Sequence, residues 1–398
     1  MTRALRTCFV VVALAMVAGA AATVRSSSAT TPTPHYDIAA ERAMHDADIA
    51  FYQQRVTRDP SGALDHLHLA ALYLQRARER GAPTDLSRAE AEARQSLTNR
   101  RAHNSEAWHE LALALIGQHR FLEARDCTDS LLAADPAAPG PRGLLGEIDL
   151  ELGRYLEADT IFTALDQPAA EPAVLARVAR WASLRGQAEH ARNLMLNARE
   201  KAHHRGGTPA EQIAWYDLRL GELAITTGQL NDAAERLDLA ARIVADDPRV
   251  LLAQSRLALA RHRADDALRF ANAAMNAGED PLAFALASDA QLMRGDSAAA
   301  DRMFRAFETA ISAAPSSAWH RQWRLELLDR GRQVDAVLAQ AKAELTTRPD
   351  VYGWDQYAWA LHHSGRDAEA RVAMHEALKW GTEDVLLDAH AKALGIVR

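Results

Sequence analysis

Along residues 105–171, apolar side chains recur every three or four positions, stop at a short polar turn, and resume at the same spacing. Phe121-Leu122-Glu123-Ala124 returns 34 residues later as Tyr155-Leu156-Glu157-Ala158, and Leu111-Ala112 returns as Leu145-Gly146. Three-and-four spacing is one face of a helix, so each unit is predicted to be two helices joined by a turn. Small residues at the Ala112/Gly146 and Ala124/Ala158 positions let the two helices approach closely.

Eight alanines carry this pattern along the chain: Ala124, Ala158, Ala191, Ala233, Ala267, Ala300, Ala336 and Ala370, with gaps of 34, 33, 42, 34, 33, 36 and 34 residues. Six have a glycine five residues upstream (Gly153, Gly186, Gly228, Gly295, Gly331 and Gly365). With glycine at only 20 of 398 positions, this recurrence marks a true repeat of stacked helical hairpins. The turn glycine supplies a backbone conformation that other residues adopt at a cost. His119 and His262 stand there in two units, where histidine fits at modest cost. Prolines near unit ends (Pro136, Pro248, Pro281, Pro315, Pro349) are expected to stop the second helix of each unit.

These residues resemble the tetratricopeptide repeat family. Trp108, Leu111, Ala112, Ala124 and Pro136 match its pattern in one unit, and Leu145, Gly146, Gly153, Tyr155, Ala158 and Phe162 in the next. Leu220, Gly221, Gly228, Ala233 and Ala240 match another, and Trp354, Tyr357, Ala358, Gly365, Ala370 and Ala377 the last. The resemblance implies an all-α fold, a right-handed α-solenoid whose concave groove holds an extended or helical partner segment. The expected organisation is a leader over 1–22, a flexible Ser/Thr/Pro spacer over 23–36 and an N-terminal helix over 37–60. An array of about nine hairpins follows over 61–382, and a capping helix over 383–398.

Departures from the pattern carry their own expectations. Gln254 stands in place of a leucine, which predicts a one-residue slip near 248–280. Arg324 takes a small-residue position, which predicts looser helix packing there. Gly81-Ala82-Pro83-Thr84 and His203–Thr208 read as loops projecting from the edge.

The family register places Glu147, Arg180, Glu222, Arg256 and Asp289 at equivalent groove positions of successive units. Their alternating charges suit either a ladder of neighbouring ion pairs, each worth little at a surface, or a mixed-charge groove for a polar extended partner. The register directs Trp359 into the same groove, with His362 and His363 one turn on, as a binding anchor. It directs Trp323, Trp354 and Tyr357 into the core. Family members that clamp a terminal carboxylate use Lys, Asn and Arg at positions that here hold His109, Leu113, Gly143 and Glu147, so that docking mode is not expected.

Composition narrows the class. Net charge of −7 gives no footprint for nucleic acid, and 48% hydrophobic with 25% charged residues is an ordinary globular balance. Arg3 and Arg6 precede an apolar run from Cys8 to about Ala22 that ends in small-residue triplets, the signature of an export signal. About 15 helical residues span roughly 22 Å, short of the ~30 Å bilayer core. A periplasmic or secreted protein with a cleaved leader is expected; an uncleaved leader anchored in the inner membrane is the alternative, and the sole route to membrane contact. Cleavage leaves Cys127 alone, so no intrachain disulfide is expected, and Cys127 reads as a small buried hydrophobe.

No catalytic, cofactor or metal constellation emerges. His109-Glu110-Leu111-Ala112-Leu113 has leucine where a zinc-protease helix needs its second histidine. His66 and His68 face different sides of a helix, and the His203-His204 and His362-His363 pairs lack further ligands at usable spacing. The expected function is a noncatalytic scaffold of the cell envelope that binds protein. The alternative is a glycan- or small-ligand-binding module in polysaccharide export or envelope assembly.

Overall fold

A computed structural model describes residues 36–313 and 320–397; the leader, the spacer before Tyr36, Pro315 and Trp319 lie outside them. Among the described residues there are twenty helices. Helix α1 spans Ile38–Arg58. Nine hairpins follow: α2 Ala63–Arg80 with α3 Pro83–Asn99, α4 Ser105–Gly117 with α5 Phe121–Ala134, and α6 Pro139–Glu151 with α7 Tyr155–Leu165. Next come α8 Pro172–Leu184 with α9 Ala188–His204, α10 Ala210–Thr226 with α11 Leu230–Ile243, and α12 Pro248–Ala260 with α13 Ala264–Ala277. The last three are α14 Leu282–Met293 with α15 Ser297–Ser312, α16 Arg321–Asp329 with α17 Val334–Glu344, and α18 Val351–His363 with α19 Asp367–Leu378, before α20 Val385–Ala393.

Three local expectations need correction. Among the prolines expected to stop second helices, Pro136 does follow the end of α5, whereas Pro248 is the first residue of α12, where the missing N–H is one the first turn leaves unpaired anyway, and Pro281 caps the start of α14. No slip occurs at Gln254. Its neighbour Ser255 takes the small-residue position, and its Oγ donates to the Ala267 carbonyl at 2.9 Å, as Ser288 does to Ala300 at 2.8 Å. Gly81-Ala82 is a tight two-residue connection packed toward Pro248 of α12, not a projecting loop. At α16 the buried Arg324 reaches Glu344 of α17 at 2.7 Å, so an ion pair stands where other units have a small-residue contact.

His119 and His262 do adopt the left-handed turn, at φ +59° and +55°. His262 is exposed, so His262→Gly is expected to stabilise the chain by about 1 kcal/mol, the backbone cost a side chain carries there. Urea unfolding of the two proteins checks it.

The stack closes on itself. After six hairpins the inter-hairpin loops of the second superhelical turn rest on the hairpin turns of the first, about 200 residues earlier in sequence. His119 Nε2 lies 3.1 Å from His320 Nδ1, Tyr155 Oη accepts from the Val351 N–H at 2.8 Å, and Thr382 Oγ1 donates to the Leu184 carbonyl at 2.5 Å. A Cβ on Gly153 would sit 2.7 Å from the Pro349 carbonyl carbon, and one on Gly186 would fall on the Gly381 carbonyl oxygen. Trp380 packs edge-on to Tyr155 at 5.0 Å and beside Trp181 at 5.7 Å. One continuous apolar cluster accordingly joins Phe162, Leu175 and Trp181 of the first turn to Val351, Met374 and Leu387 of the second.

Helix α1 joins the same seam from the N-terminal side. Arg42 Nη1 meets Asp246 at 2.6 Å, and Glu41 accepts from the Ala210 N–H at 3.2 Å. Tyr36 and Ile38 pack on the cluster built by α10 to α12.

Candidate functional site

The first helices of successive hairpins carry the register positions that the resemblance directs to the groove. Glu147 and Arg180 are its first two register positions, 3.7 Å apart, and Arg177, one turn before Arg180, holds the other Glu147 oxygen at 2.8 Å. Of the five charges read from the sequence, only these two pair with each other. Glu222 takes Arg219 of its own helix at 2.6 Å, Arg256 donates to Gln322 at 2.6 Å, and Asp289 is bound by Arg330. The ladder is therefore one rung long, and the remaining three charges take partners outside it.

A denser charged centre lies where the two superhelical turns meet. Glu151 bonds Arg180 and, at 2.5 Å, Arg348 of the loop before α18. Arg348 also holds Glu344 at 2.8 Å, and Arg321 spans Glu344 and Asp350 at 3.0 and 2.6 Å. Burial opposes the Glu151 charge, but Arg180 and Arg348 outweigh it and bring its carboxyl down to about 2. For Arg180, too, burial works against the charge, and Glu151 and Glu147 more than restore it, raising its pKa. The sequence held a cue to this centre, since Glu151 lies one helical turn beyond Glu147. Arg348 carried none, because it comes from a loop 197 residues away.

Two further partly buried acids, Glu110 and Glu326, lack a carboxylate's usual company among the described residues. Glu110 is pushed up to about 7 by burial, with Arg78 opposing and Glu106 adding to the rise. Glu326 is pushed up to about 8 by burial first, then by the neighbouring Asp289 and Asp329. A raised folded-state pKa means the folded protein holds the proton that the unfolded chain releases near pH 4.5. The resulting stabilisation is present below that value and is lost as pH rises through about 8. Glu326→Gln is expected to flatten the fall in melting temperature between pH 5 and pH 9; an unchanged fall would refute this placement of the proton.

Trp359 is half-buried rather than displayed. Its ring stacks on His390 of α20 at 4.1 Å and on His362 at 5.1 Å, His363 lies edge-on at 4.8 Å, and its Nε1 donates to Asp329 at 2.7 Å. His390 is itself buried against Asp355 at 2.8 Å, so the terminal helix clamps the indole. Trp323, Trp354 and Tyr357 are partly buried against the core clusters. Cys127 is buried, and burial raises its thiol to about 11, as befits an inert hydrophobe. Among the described residues no three His, Cys, Asp or Glu side chains gather as a metal site would need, and no helix is long and apolar enough to cross a membrane.

The hairpin contacts decide the fold. A Cβ on Gly146 would meet the Phe162 ring at 2.7 Å, and one on Gly221 would meet Leu237 at 2.7 Å, so small residues on the first helix admit large ones from the second, unit after unit. The described residues form an α-solenoid of stacked helical hairpins, the fold that the resemblance to the tetratricopeptide family implied. Solved structures similar to it include PilF of Pseudomonas aeruginosa, with TM-score 0.42 and 15% identity over 53% of this chain and 93% of that one. A tetratricopeptide repeat protein from Parabacteroides merdae matches with TM-score 0.37 and 15% identity over 73% and 98%. The human IFIT1 dimer with m7Gppp-AAAA matches with TM-score 0.45 and 12% identity over 86% and 88%. No protein-family profile matches the chain, and no curated protein does. At these scores the solenoid stands on its own hairpin geometry.

Proposed function

We propose that this solenoid is a noncatalytic scaffold of the cell envelope that holds a slender segment of a protein partner against its first helices. The observation that supports this reading is a row of charges, Glu147, Arg180, Glu222, Arg256 and Asp289, at equivalent positions of the first helices of successive hairpins. In this reading an extended segment lies along that row and meets Glu222, Arg256 and Asp289 in successive hairpins. Trp359, His362 and His363 form the wall of the C-terminal end. The indole, already stacked on two imidazoles, offers little free face for a sugar ring, which favours a protein partner over a glycan. The envelope location rests on the leader and spacer residues.

The test is capture by the exported protein against a variant carrying Glu222→Arg, Arg256→Glu and Asp289→Arg, three positions away from the seam. The variant should keep its helical circular dichroism while losing the partner. Retained capture would sink this row as the binding face, and fractionation of the full-length chain to the cytoplasm would sink the location.

A further inference from the structure

Among the described residues, one face of α1 has no partner. Its inner side is spent on the fold: Ile49 is buried, and Tyr52 and Val56 pack with Leu69, Tyr73 and Leu74 of α2. The opposite side exposes Ala40, Ala43, Met44, Ala47, Ala50 and Phe51, a three-and-four spacing that forms one apolar strip about 17 Å long. Met44 and Phe51 are each 54% exposed, large values for such side chains at the end of a stack, where solenoids ordinarily present polar residues.

We propose that this face docks a second copy of the chain, with the two α1 helices antiparallel. Charge specifies both the occupant and the direction. The strip begins beside the exposed Asp37 and ends beside the exposed Arg58, while Glu41 and Arg55 are held within the chain by the Ala210 N–H and by Asp65. An antiparallel copy sets each acidic end against a basic one, whereas a parallel copy opposes like charges. Ala47 then lies at the two-fold axis and permits close approach, and Met44 of each protomer faces Phe51 of its partner, a favourable sulfur–aromatic pairing. A pair of such faces buries on the order of 1,000 Å² in total, at the lower edge of stable interfaces, so the dimer is concentration-dependent.

Light scattering on the full chain across the micromolar range should show monomer passing to dimer, and Met44→Glu with Phe51→Glu should leave monomer with unchanged circular dichroism. Independently, Ala47→Cys in a Cys8→Ser background should form a disulfide-linked dimer on mild oxidation. Leu156→Cys, at a position 74% exposed on another helix, should not. A monomer at every concentration, a dimer indifferent to the double glutamate variant, or equal cross-linking at both cysteine positions would overturn the proposal. So would a monomer in which residues before Tyr36 shield the strip from hydrogen exchange.

Discussion

Gly186→Ala is expected to cost about 3 kcal/mol and to loosen the C-terminal end of the solenoid, while Gly365→Ala costs about 1 kcal/mol. Both glycines hold the left-handed turn, at φ +67° and +75°, so both substitutions incur the same backbone strain. They differ in what a Cβ meets. At Gly365 nothing lies within 4 Å, whereas at Gly186 the added carbon lands on the Gly381 carbonyl oxygen. That oxygen is backbone, in a turn whose next residue, Thr382, is tied to the Leu184 carbonyl, and it has no rotamer by which to yield. Relief therefore requires the two superhelical turns to part. Hydrogen exchange should show α20 deprotected in Gly186→Ala and unaltered in Gly365→Ala. Equal losses in the two variants would mean that the seam does not hold the C-terminal end.

Glu151→Ala is expected to destabilise by about 3 kcal/mol, because it leaves Arg180 and Arg348 facing each other with their shared carboxylate gone. The site is largely enclosed, with 15% of the Glu151 side chain exposed, so solvent screens the loss only in part. The same group makes the seam acid-labile. Its folded-state pKa is depressed, so its contribution is complete above the unfolded value near 4.5 and is lost as pH falls toward about 2. Glu151→Gln should therefore approach the parent's stability at pH 2 and fall well below it at pH 6. Parallel stability curves over that range would place the clamp elsewhere.

How much of this was legible in the sequence follows from the range of each interaction. Hairpin contacts are local: Gly146 against Phe162 and Gly221 against Leu237 span 16 residues, and the three-and-four spacing with small residues at fixed offsets announces them. The repeat likewise puts Glu147 and Arg180 at equivalent positions of successive hairpins, where they do meet. The partners of the other positions were not legible. Arg256 turns to Gln322, 66 residues on, and Trp359 is clamped by His390 of the capping helix, where no periodic pattern connects the pair.

By itself the sequence determined the repeat: which residues form helices, where each hairpin turns, and which face of each helix points inward. Only the tertiary structure decided how tightly the stack coils. Small rotations between neighbouring hairpins accumulate over six units before Glu151 and Arg348 can meet, and no local pattern records their sum. That accumulated rotation is what brings the charged centre around Glu151 together, and what gives Gly153 and Gly186 a second duty as contact points between turns of the superhelix.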